Sequence, residues 1–451
     1  MTSRLKPLAV LLATALAANF SAHSAHAADL LSVYRDAVAY DAQFAAARAS
    51  LEAGREKAPQ GLAGLLPVVV AGASTTKNDI DTQLRTPGAT TTRREYNTNG
   101  WSVKLTQPLI DYSSWVTYSQ AKLSVAVSEA QYEQARMDLM VRAAQAYFDV
   151  LLAQDAVATA QSLKTVTAEQ LESAKRNFEV GTSTITDSHE AQSRYDLIVA
   201  QELAAINDLT VKRHTLESLI GKPAPSLRTL RSGVQIMAPE PLDMGKWVEQ
   251  ADTGSPSIQV AQAGLAIASR EISKQRAGHY PTLNLVATSS HSAQNKYALS
   301  VAPFSGIDTD SRTVGLELSL PLFTGGYQVS KQREAVSLKD KAQADLDYAQ
   351  RSVQLGVRQA YLGVTSGLAQ VKAYEAALTS SQSSLDSNKL GYEVGVRINI
   401  DVLNAQSQLY DTRYKLSKAR FDTLLASLKL KAATGNLNEK DLDGINALLG
   451  E

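Results

Sequence analysis

The chain has 451 residues, with 45 basic and 45 acidic side chains and a formal net charge of zero. That balance argues against nucleic acid as a partner, because nucleic-acid-binding domains carry a surplus of Lys and Arg. Cysteine is absent from the sequence, which excludes disulfides, thiolate metal sites and cysteine nucleophiles. The 7 Phe and 3 Trp are few for a thick core, and the Ala, Ser, Gln and Leu of the long segments suit elongated helices better.

The first 27 residues predict a secretory signal peptide. Arg4 and Lys6 precede an apolar stretch at 8–18, and A-H-A at 25–27 supplies a small-residue cleavage site. The alternative, a membrane anchor, is disfavoured because the stretch is shorter than the ~20 residues of a spanning helix. We expect cleavage after Ala27 and export from the cytoplasm. No later segment is apolar enough for a transmembrane helix, so a membrane would have to be entered as β-structure.

The mature chain reads as a tandem duplication. FEVGTSTITDSHEAQS at 178–193 returns as YEVGVRINIDVLNAQS at 392–407, and LTQPLID at 105–111 returns as LSLPLFT at 318–324. Several such matches at nearly the same offset indicate a repeat of about 210 residues. The predicted divisions are a first repeat at 28–240, a second at 241–435 and a C-terminal tail at 436–451.

Each repeat predicts a helix, a β-hairpin, a long helix, a turn and a second helix. Proline is absent between Pro108 and Pro223 and after Pro321, so both tracts can be helical except at the returning motif. Alternating polar and apolar residues predict strands with one apolar face, of about the 9 to 11 residues that cross a bilayer. The predicted bounds are β-hairpins at about 64–110 and 281–323, a loop at 78–100, and turns at 179–187 and 393–401.

The last helix of the second repeat carries a coiled-coil pattern. Two seven-residue ladders displaced by three residues run along it: Leu409, Leu416, Thr423 and Leu430, and Thr412, Ala419, Ala426 and Ala433. A sustained 3-4 spacing is typical of a coiled-coil seam, and small residues on one ladder let backbones approach closely. Ordinary core packing would use the same contacts, but the length of the pattern favours a coiled coil.

Four predicted strands per chain require further partners. They are too few to close a barrel with an open lumen, whereas two or three copies give eight or twelve strands. In a soluble sandwich, the alternative, a second sheet or helices would have to cover the apolar face, and the predicted helices are too long and narrow to do so. The sequence therefore predicts an oligomer.

Together these features resemble the TolC family of outer-membrane channel proteins. The resemblance covers the whole mature chain and rests on the duplicated hairpin and long-helix units, on LSLPLFTGG at 318–326 and on the paired turn motifs. It implies an α+β membrane protein that forms a homotrimer. Each protomer would give four β-strands to a 12-stranded barrel in outer-membrane lipid and long coiled-coil helices to an α-helical barrel that extends into the periplasm.

The resemblance also implies a function and partners. The trimer would be a passive exit channel for type I protein secretion or drug efflux, gated at its periplasmic helical end. A periplasmic adaptor would join it to an inner-membrane transporter, either an ABC ATPase or a proton-driven pump. The sequence does not identify the cargo.

The repeated motif contains the residue types that a helix-helix turn requires. Gly181 and Gly395 suit the left-handed position after a helix C-terminus. Asp187 and Asp401 suit the N-cap of the next helix, and Glu190 would complete a capping box in the first copy. Capping alone would explain both aspartates, but the resemblance also places these turns at the periplasmic gate.

The two copies differ where a gate would need them to differ. Only the second turn has a phenol, at Tyr392, and a guanidinium, at Arg397. In the family pattern the matching Tyr and Arg bond to a Thr-Asp of the other turn, here Thr186 and Asp187. We expect Tyr392 and Arg397 to hold the resting channel shut; a solvated arginine and an ordinary helix-end tyrosine are the alternative.

Two functions from other classes compete with a channel. An enzyme is disfavoured, because the six His are scattered and no HExxH, GxSxG, Walker A or GxGxxG segment is present; we expect no catalytic residue, metal or cofactor. A periplasmic coiled-coil adaptor of the membrane-fusion type would also be long, helical and exported. The duplicated strands with an apolar face argue against it.

The predicted pore constriction has an acidic ring and a neutral one. The family often has two acidic positions three residues apart, which here are Asp401 and Asn404. A trimer would therefore carry three constriction charges rather than six. We expect a cation preference weaker than that of a relative with two acidic rings, to be measured as the reversal potential in a salt gradient. Anion selectivity would contradict this expectation.

Overall fold

A computed structural model describes residues 27–83, 85–231, 233–297 and 305–450. The predicted signal peptide lies outside them except for Ala27. The elements in chain order are α1 (Leu30–Tyr40), α2 (Ala42–Arg55), α3 (Lys57–Ala63), β1 (Val68–Thr82), β2 (Thr92–Ile110), α4 (Tyr112–Glu179), α5 (Ile185–Ile220), α6 (Met244–Gly254), α7 (Pro256–Ala277), β3 (Thr282–Tyr297), β4 (Ser305–Ser319), α8 (Tyr327–Glu393), α9 (Asn399–Ala433) and α10 (Glu439–Asn446). Among these described helices, none has both the length and the apolarity needed to cross a membrane.

The order of elements repeats in the two halves. A hairpin is followed by a 68-residue helix and a 36-residue helix in the first half, and by helices of 67 and 35 residues in the second. The predicted tail at 436–451 contains a further short helix, α10. The described residues divide into two compact units: a helical one at 27–46, 134–255 and 353–450, and one with the strands at 47–133 and 256–352.

The strands of the second unit form one antiparallel sheet in the order β1-β2-β3-β4. They have 15, 19, 16 and 15 residues, so the predicted length of 9 to 11 residues and the predicted loop at 78–100 are wrong. Polar pairs extend the ladder beyond the apolar part: Asn78 donates to Thr98 at 3.0 Å, and Arg93 donates to Asp79. Alternating hydrophobicity could not reveal this extension, because both faces are polar there.

The sheet has an apolar and a polar face. Side chains of directly opposed residues share a face, and the apolar face is defined by two aligned rows: Val69, Leu105, Ala287 and Val314, and Ala71, Val103, Ser289 and Arg312. The residues next to these along each strand point to the other side of the sheet and form its polar face. Two aligned rows define it: Val70, Lys104, Thr288 and Thr313, and Gly72, Ser102, Ser290 and Ser311. Val69 and Val314 are 61% and 78% exposed in the single chain.

The predicted seam of α9 is buried against α8. Leu409, Leu416, Thr423 and Leu430 are each at most 5% exposed. Their partners on α8 form a heptad ladder that the sequence reading missed: Val357, Val364, Val371, Leu378 and Leu385. Gly367 allows close approach, since a Cβ there would lie 2.4 Å from Oγ1 of Thr423.

A buried ion pair fixes the break between α1 and α2. Asp41 is 8% exposed, and its carboxylate accepts two hydrogen bonds from the Arg142 guanidinium, both at 3.0 Å. It also caps α2 by accepting from the amide of Phe44 at 2.7 Å. The hydrogen bonds from Arg142 hold the pKa of Asp41 below its usual range, which means that they favour the ionised carboxylate.

The last helix closes onto the first. The side-chain oxygen of Asn446 on α10 accepts from the amide of Leu30 at 3.1 Å, and its amide group donates to Asp29 at 2.7 Å. Tyr147 on α4 is fully buried beside this junction and donates to the carbonyl of Arg228 at 2.7 Å. Residues from both ends of the chain therefore complete one packed region.

Asp41→Asn tests the buried ion pair. The variant should lower the free energy of unfolding at pH 7 by about 1 to 3 kcal/mol, because Arg142 loses a buried charged acceptor. Since the folded-state pKa of Asp41 is lowered, its contribution is present above the unfolded value of about 3.9 and is lost as pH falls through the folded value. The difference from the wild type, measured by urea unfolding in detergent, should therefore shrink at low pH.

The matched control is Asp138→Asn. Asp138 accepts from the same arginine at 2.8 Å, but its side chain is 50% exposed, so the change should be about 0 to 1 kcal/mol. Equal effects of the two variants at pH 7 would show that burial of Asp41 is not what gives the pair its strength.

Candidate functional site

Both turns end their long helix with the same Schellman motif. Gly181 and Gly395 adopt left-handed conformations, with φ of +78° and +76°. In each turn the amide after the glycine donates to a carbonyl in the last helical turn, with Asn177 and Gly391 accepting at 2.8 Å. The backbone reverses in the same way in both repeats, so differences between the turns reside in their side chains.

The caps that follow differ from the prediction. Thr184, not Asp187, is the N-cap of α5; Asp187 is the third helical residue, and the two form a capping box that does not involve Glu190. The predicted turns at 179–187 and 393–401 are correspondingly too long, because α5 begins at Ile185 and α9 at Asn399. In the second copy Ile398 occupies the N-cap position and makes no side-chain cap.

Because Ile398 provides no side-chain cap for α9, Asp401 pairs with a different residue. Asp401 is the third residue of α9, and its Oδ2 lies 3.6 Å from Nη1 of Arg397. The stem of Arg397 packs over Gly391, where a Cβ would come within 2.7 Å of its Cγ. The guanidinium itself is exposed, with 59% of the side chain accessible. A glycine in the helix end therefore makes room for the arginine of the turn.

Two hydrogen bonds join the α4–α5 pair to the α8–α9 pair close to the turns. The side-chain amide of Asn177 on α4 donates to the Tyr392 hydroxyl on α8 at 3.1 Å. Seven residues earlier on α4, the side-chain amide of Gln170 donates to the side-chain oxygen of Asn399 at the start of α9. The predicted gate residue Tyr392 therefore does contact the other helical pair, through a residue the sequence did not single out.

Arg194 on α5 makes a further contact between the pairs. Its Nη2 donates to Oγ of Ser407 at 2.8 Å and to Oδ1 of Asn404 at 3.4 Å. The predicted constriction residue Asn404 thus lies beside a guanidinium. The sequence held a signal for Arg194, because the matching position of the second repeat is Gln408, a charge difference of the kind that marked Arg397.

Thr186 and Asp187 are not joined to Tyr392 or Arg397. Within the described residues of this single chain, no hydrogen bond or ion pair links the two sets. Oδ2 of Asp187 accepts instead from the amide and hydroxyl of Thr184, at 3.0 and 2.9 Å. Thr186 is exposed on the first turn of α5.

Several polar atoms near these contacts are buried without a partner. They include Nδ2 of Asn399, Oε1 of Gln406 and Nε of Arg194 among the described residues. Asn399 and Gln406 are 5% and 2% exposed. Leaving a polar atom buried and unpaired costs about 1 to 3 kcal/mol. Asn399 and Arg194 join the helical pairs through their other side-chain atoms, so these contacts are stabilised less than their hydrogen bonds alone suggest.

Comparison with known proteins agrees with this architecture. The profile of the outer membrane efflux protein family matches residues 33–222 and 247–436, one segment in each repeat. The chain belongs to the outer membrane efflux protein family. The resemblance to TolC-type channels is confirmed, and the duplicated α+β fold predicted for them is present.

Individual relatives match over nearly their whole length. The alkaline protease secretion protein AprF of Pseudomonas aeruginosa is 33% identical over 94% of this chain and 88% of its own. The outer membrane protein TolC of Vibrio cholerae is 31% identical over 93% of this chain and 94% of its own. The crystal structure of the Campylobacter jejuni CmeC outer membrane channel has a TM-score of 0.76 at 17% identity and covers 93% of this chain and 90% of its own.

Membership of the family decides between the predicted functions. The protein is an outer-membrane export channel, and the alternative of a periplasmic adaptor is wrong. The predicted location, in the outer membrane with an extension into the periplasm, is confirmed. Cleavage after Ala27 and the roles of individual turn residues remain predictions.

Thr184→Ala tests the unequal capping of the two turns. Loss of the capping box should weaken the start of α5 by about 1 kcal/mol, within a range of 0.5 to 2 kcal/mol, and should speed amide hydrogen exchange there. The matched control Ile398→Ala should leave exchange at the start of α9 unchanged, because Ile398 makes no side-chain cap. Equal acceleration in both variants would show that the capping box does not stabilise the first turn.

Proposed function

We propose that three copies of this chain form a channel that is closed at rest at the two helix turns. The carrying observation is that hydrogen bonds join the α4–α5 pair to the α8–α9 pair, from Asn177 beside the turns and from Arg194 further along α5. Three copies of the four-stranded sheet give twelve strands, enough for a barrel with an open lumen. The same symmetry places three Asp401 carboxylates around one axis.

The contacts at the turns have the energy balance that a gate needs. Each hydrogen bond between the helical pairs contributes about 0.5 to 1.5 kcal/mol, while the unpaired buried atoms of the contact residues Asn399 and Arg194 oppose closure by a similar amount. Separation of the pairs would expose these atoms to water. A partner that binds the open state only a few kcal/mol more tightly could therefore open the channel.

Arg397 would act across the boundary between protomers. Its guanidinium is more than half exposed, and 3.6 Å from Asp401 is a long ion-pair distance, so it has donors free for a further acceptor. Asp187 is bonded within its own turn through Oδ2, which leaves Oδ1 as a candidate acceptor. We infer that Arg397 of one protomer pairs with Thr186 or Asp187 of the next, which adds to the Tyr392 contact within each protomer.

The cargo and the partners are inferred from relatives. Because AprF is named for alkaline protease secretion, we propose that this channel exports a protein by a type I route; the efflux of small molecules is the alternative that the family description favours. The energy would come from an inner-membrane transporter, joined through a periplasmic adaptor that docks near the turns. Deletion of the channel and analysis of the culture supernatant for missing proteins would distinguish the two cargo classes.

Single-channel conductance in planar bilayers tests the gate. The wild type should show small, mostly closed conductance, and Arg397→Ala and Arg194→Ala should each raise the open probability by removing a restraint on the turns. Arg397→Ala should also increase cation preference, because it leaves Asp401 unpaired. Lys418→Ala is the matched control, since Lys418 is an exposed cation of α9 that pairs with Asp422 at 2.6 Å, makes no contact with the turns and should not affect gating.

The outcomes separate the channel from its gate. Equal, large conductance in the wild type and both arginine variants would keep the channel but refute a gate at the turns. Opening by Lys418→Ala to the same extent would show that loss of any positive charge from the helical pairs suffices.

A further inference from the structure

The polar face of the sheet carries an isolated positive charge. Lys104 on β2 lies opposite Thr288 on β3, which in turn lies opposite Thr313 on β4. The rows on either side are uncharged: Gly72, Ser102, Ser290 and Ser311, and Val68, Thr106, Val286 and Gly315. Lys104 is exposed, and within the described residues its side chain makes no hydrogen bond or ion pair.

The polar face must line the lumen if the sheet closes into a barrel. A lysine that faced lipid would cost about 2 to 4 kcal/mol at the bilayer midplane and about 0 to 1 kcal/mol near the interface. The opposite face presents Val69, Leu105 and Val314 at the level of Lys104. Its own charge, Arg312, lies next to the row of Trp101, and aromatic side chains of this kind mark the interface, where a charge is least costly. This step rests on the trimeric barrel proposed above. It places three Lys104 side chains at one height around the lumen.

The dimensions of such a barrel make the three charges effective. Twelve strands spaced by about 4.8 Å and tilted by about 40° give a backbone radius of roughly 12 Å. A lysine stem extends about 6 Å, so its ammonium would lie about 6 Å from the axis. That distance is shorter than the Debye length of about 10 Å at 0.1 M salt. An ion on the axis therefore experiences all three charges with little screening.

The nearest acidic position on the same face is too far away to cancel them. Glu317 lies opposite Asn284, two rows from Lys104. Two rows correspond to about 13 Å along a strand, which exceeds the Debye length. A passing ion would therefore meet the lysine ring and the glutamate ring as separate regions of potential.

We propose that the Lys104 ring is an anion-attracting selectivity element of the barrel lumen, distinct from the predicted constriction at Asp401. The ring favours anions and carboxylate-bearing segments of the cargo and opposes the cation preference of the constriction. Asp401 belongs to the other compact unit, so the two elements can be varied independently.

Cysteine substitution tests the proposal cleanly, because the natural chain has no cysteine. Lys104→Cys and the matched control Val103→Cys, on the opposite face, would be purified as trimers and recorded in planar bilayers under a KCl gradient. Negatively and positively charged methanethiosulfonates would be added to the bath. The permeability ratio of K⁺ to Cl⁻ would be read from the reversal potential before and after modification.

The expected result is specific in sign and position. Negative modification at position 104 should raise the K⁺/Cl⁻ ratio at least about threefold over the wild type, and positive modification should return it towards the wild-type value. The Val103→Cys channel should show no change with either reagent. Reaction at 103 with none at 104 would reverse the assignment of the faces and overturn the proposal.

A second outcome would also overturn it: modification at 104, shown by mass spectrometry, without a shift in reversal potential. Failure of the proposed gate is distinguishable from both, because it appears in the open probability of Arg397→Ala. The permeability ratio is read from whatever openings occur.

Discussion

The structure of the helical unit depends on one packing constraint, which is that each long helix must bury a narrow apolar stripe along a helix that returns beside it. The α8–α9 pair satisfies it with two heptad ladders in mutual contact, the valines from Val357 to Val371 on one helix and Leu409 to Leu430 on the other. A seam of this kind needs no thick core, which is consistent with a chain that has few Phe and Trp. The left-handed glycines Gly181 and Gly395 then set where each long helix ends and the returning helix begins.

Because both turns keep the same backbone, the side chains of the two repeats can take different functions. Both turns have the same hydrogen-bond pattern and a left-handed glycine. In the first turn, Asp187 at the third helical position forms a capping box with Thr184. In the second turn, Asp401 at the equivalent position pairs with Arg397 instead. The first turn is therefore closed on itself, and the second presents an exposed guanidinium. In the trimer proposed above, this asymmetry would give the turns two kinds of contact to make or break.

Sequence reasoning succeeded where the pattern was periodic or repeated. The duplication followed from several matches at an offset of about 214 residues, the α9 seam from a periodicity of seven, and the long helices from extended tracts without proline, all of which involve many residues together. It failed at single positions. Thr184 and Asp187 are both good capping residues, so only the backbone could show which one begins the helix, and the strand ends were hidden because cross-strand polar pairs leave no alternation.

The contacts between helical pairs were missed for a further reason. Asn177, Arg194 and Gln170 meet partners more than 200 residues away, and nothing local marks an ordinary surface amide as a tertiary donor. Comparison of the two repeats position by position would have found Arg194 and Asn177, since both change character between copies. In a duplicated chain, divergence between the halves is a source of information that a single sequence normally lacks.

The bond of Asn446 to Leu30 and Asp29 has a consequence for biogenesis. A chain that is threaded across a membrane from its amino end exposes α1 long before α10 arrives. Until then the amide of Leu30 lacks this partner, and the region around it stays open. Contacts of such high sequence separation form late and slowly. The packing around Leu30 would therefore be completed only once α10 has crossed the membrane.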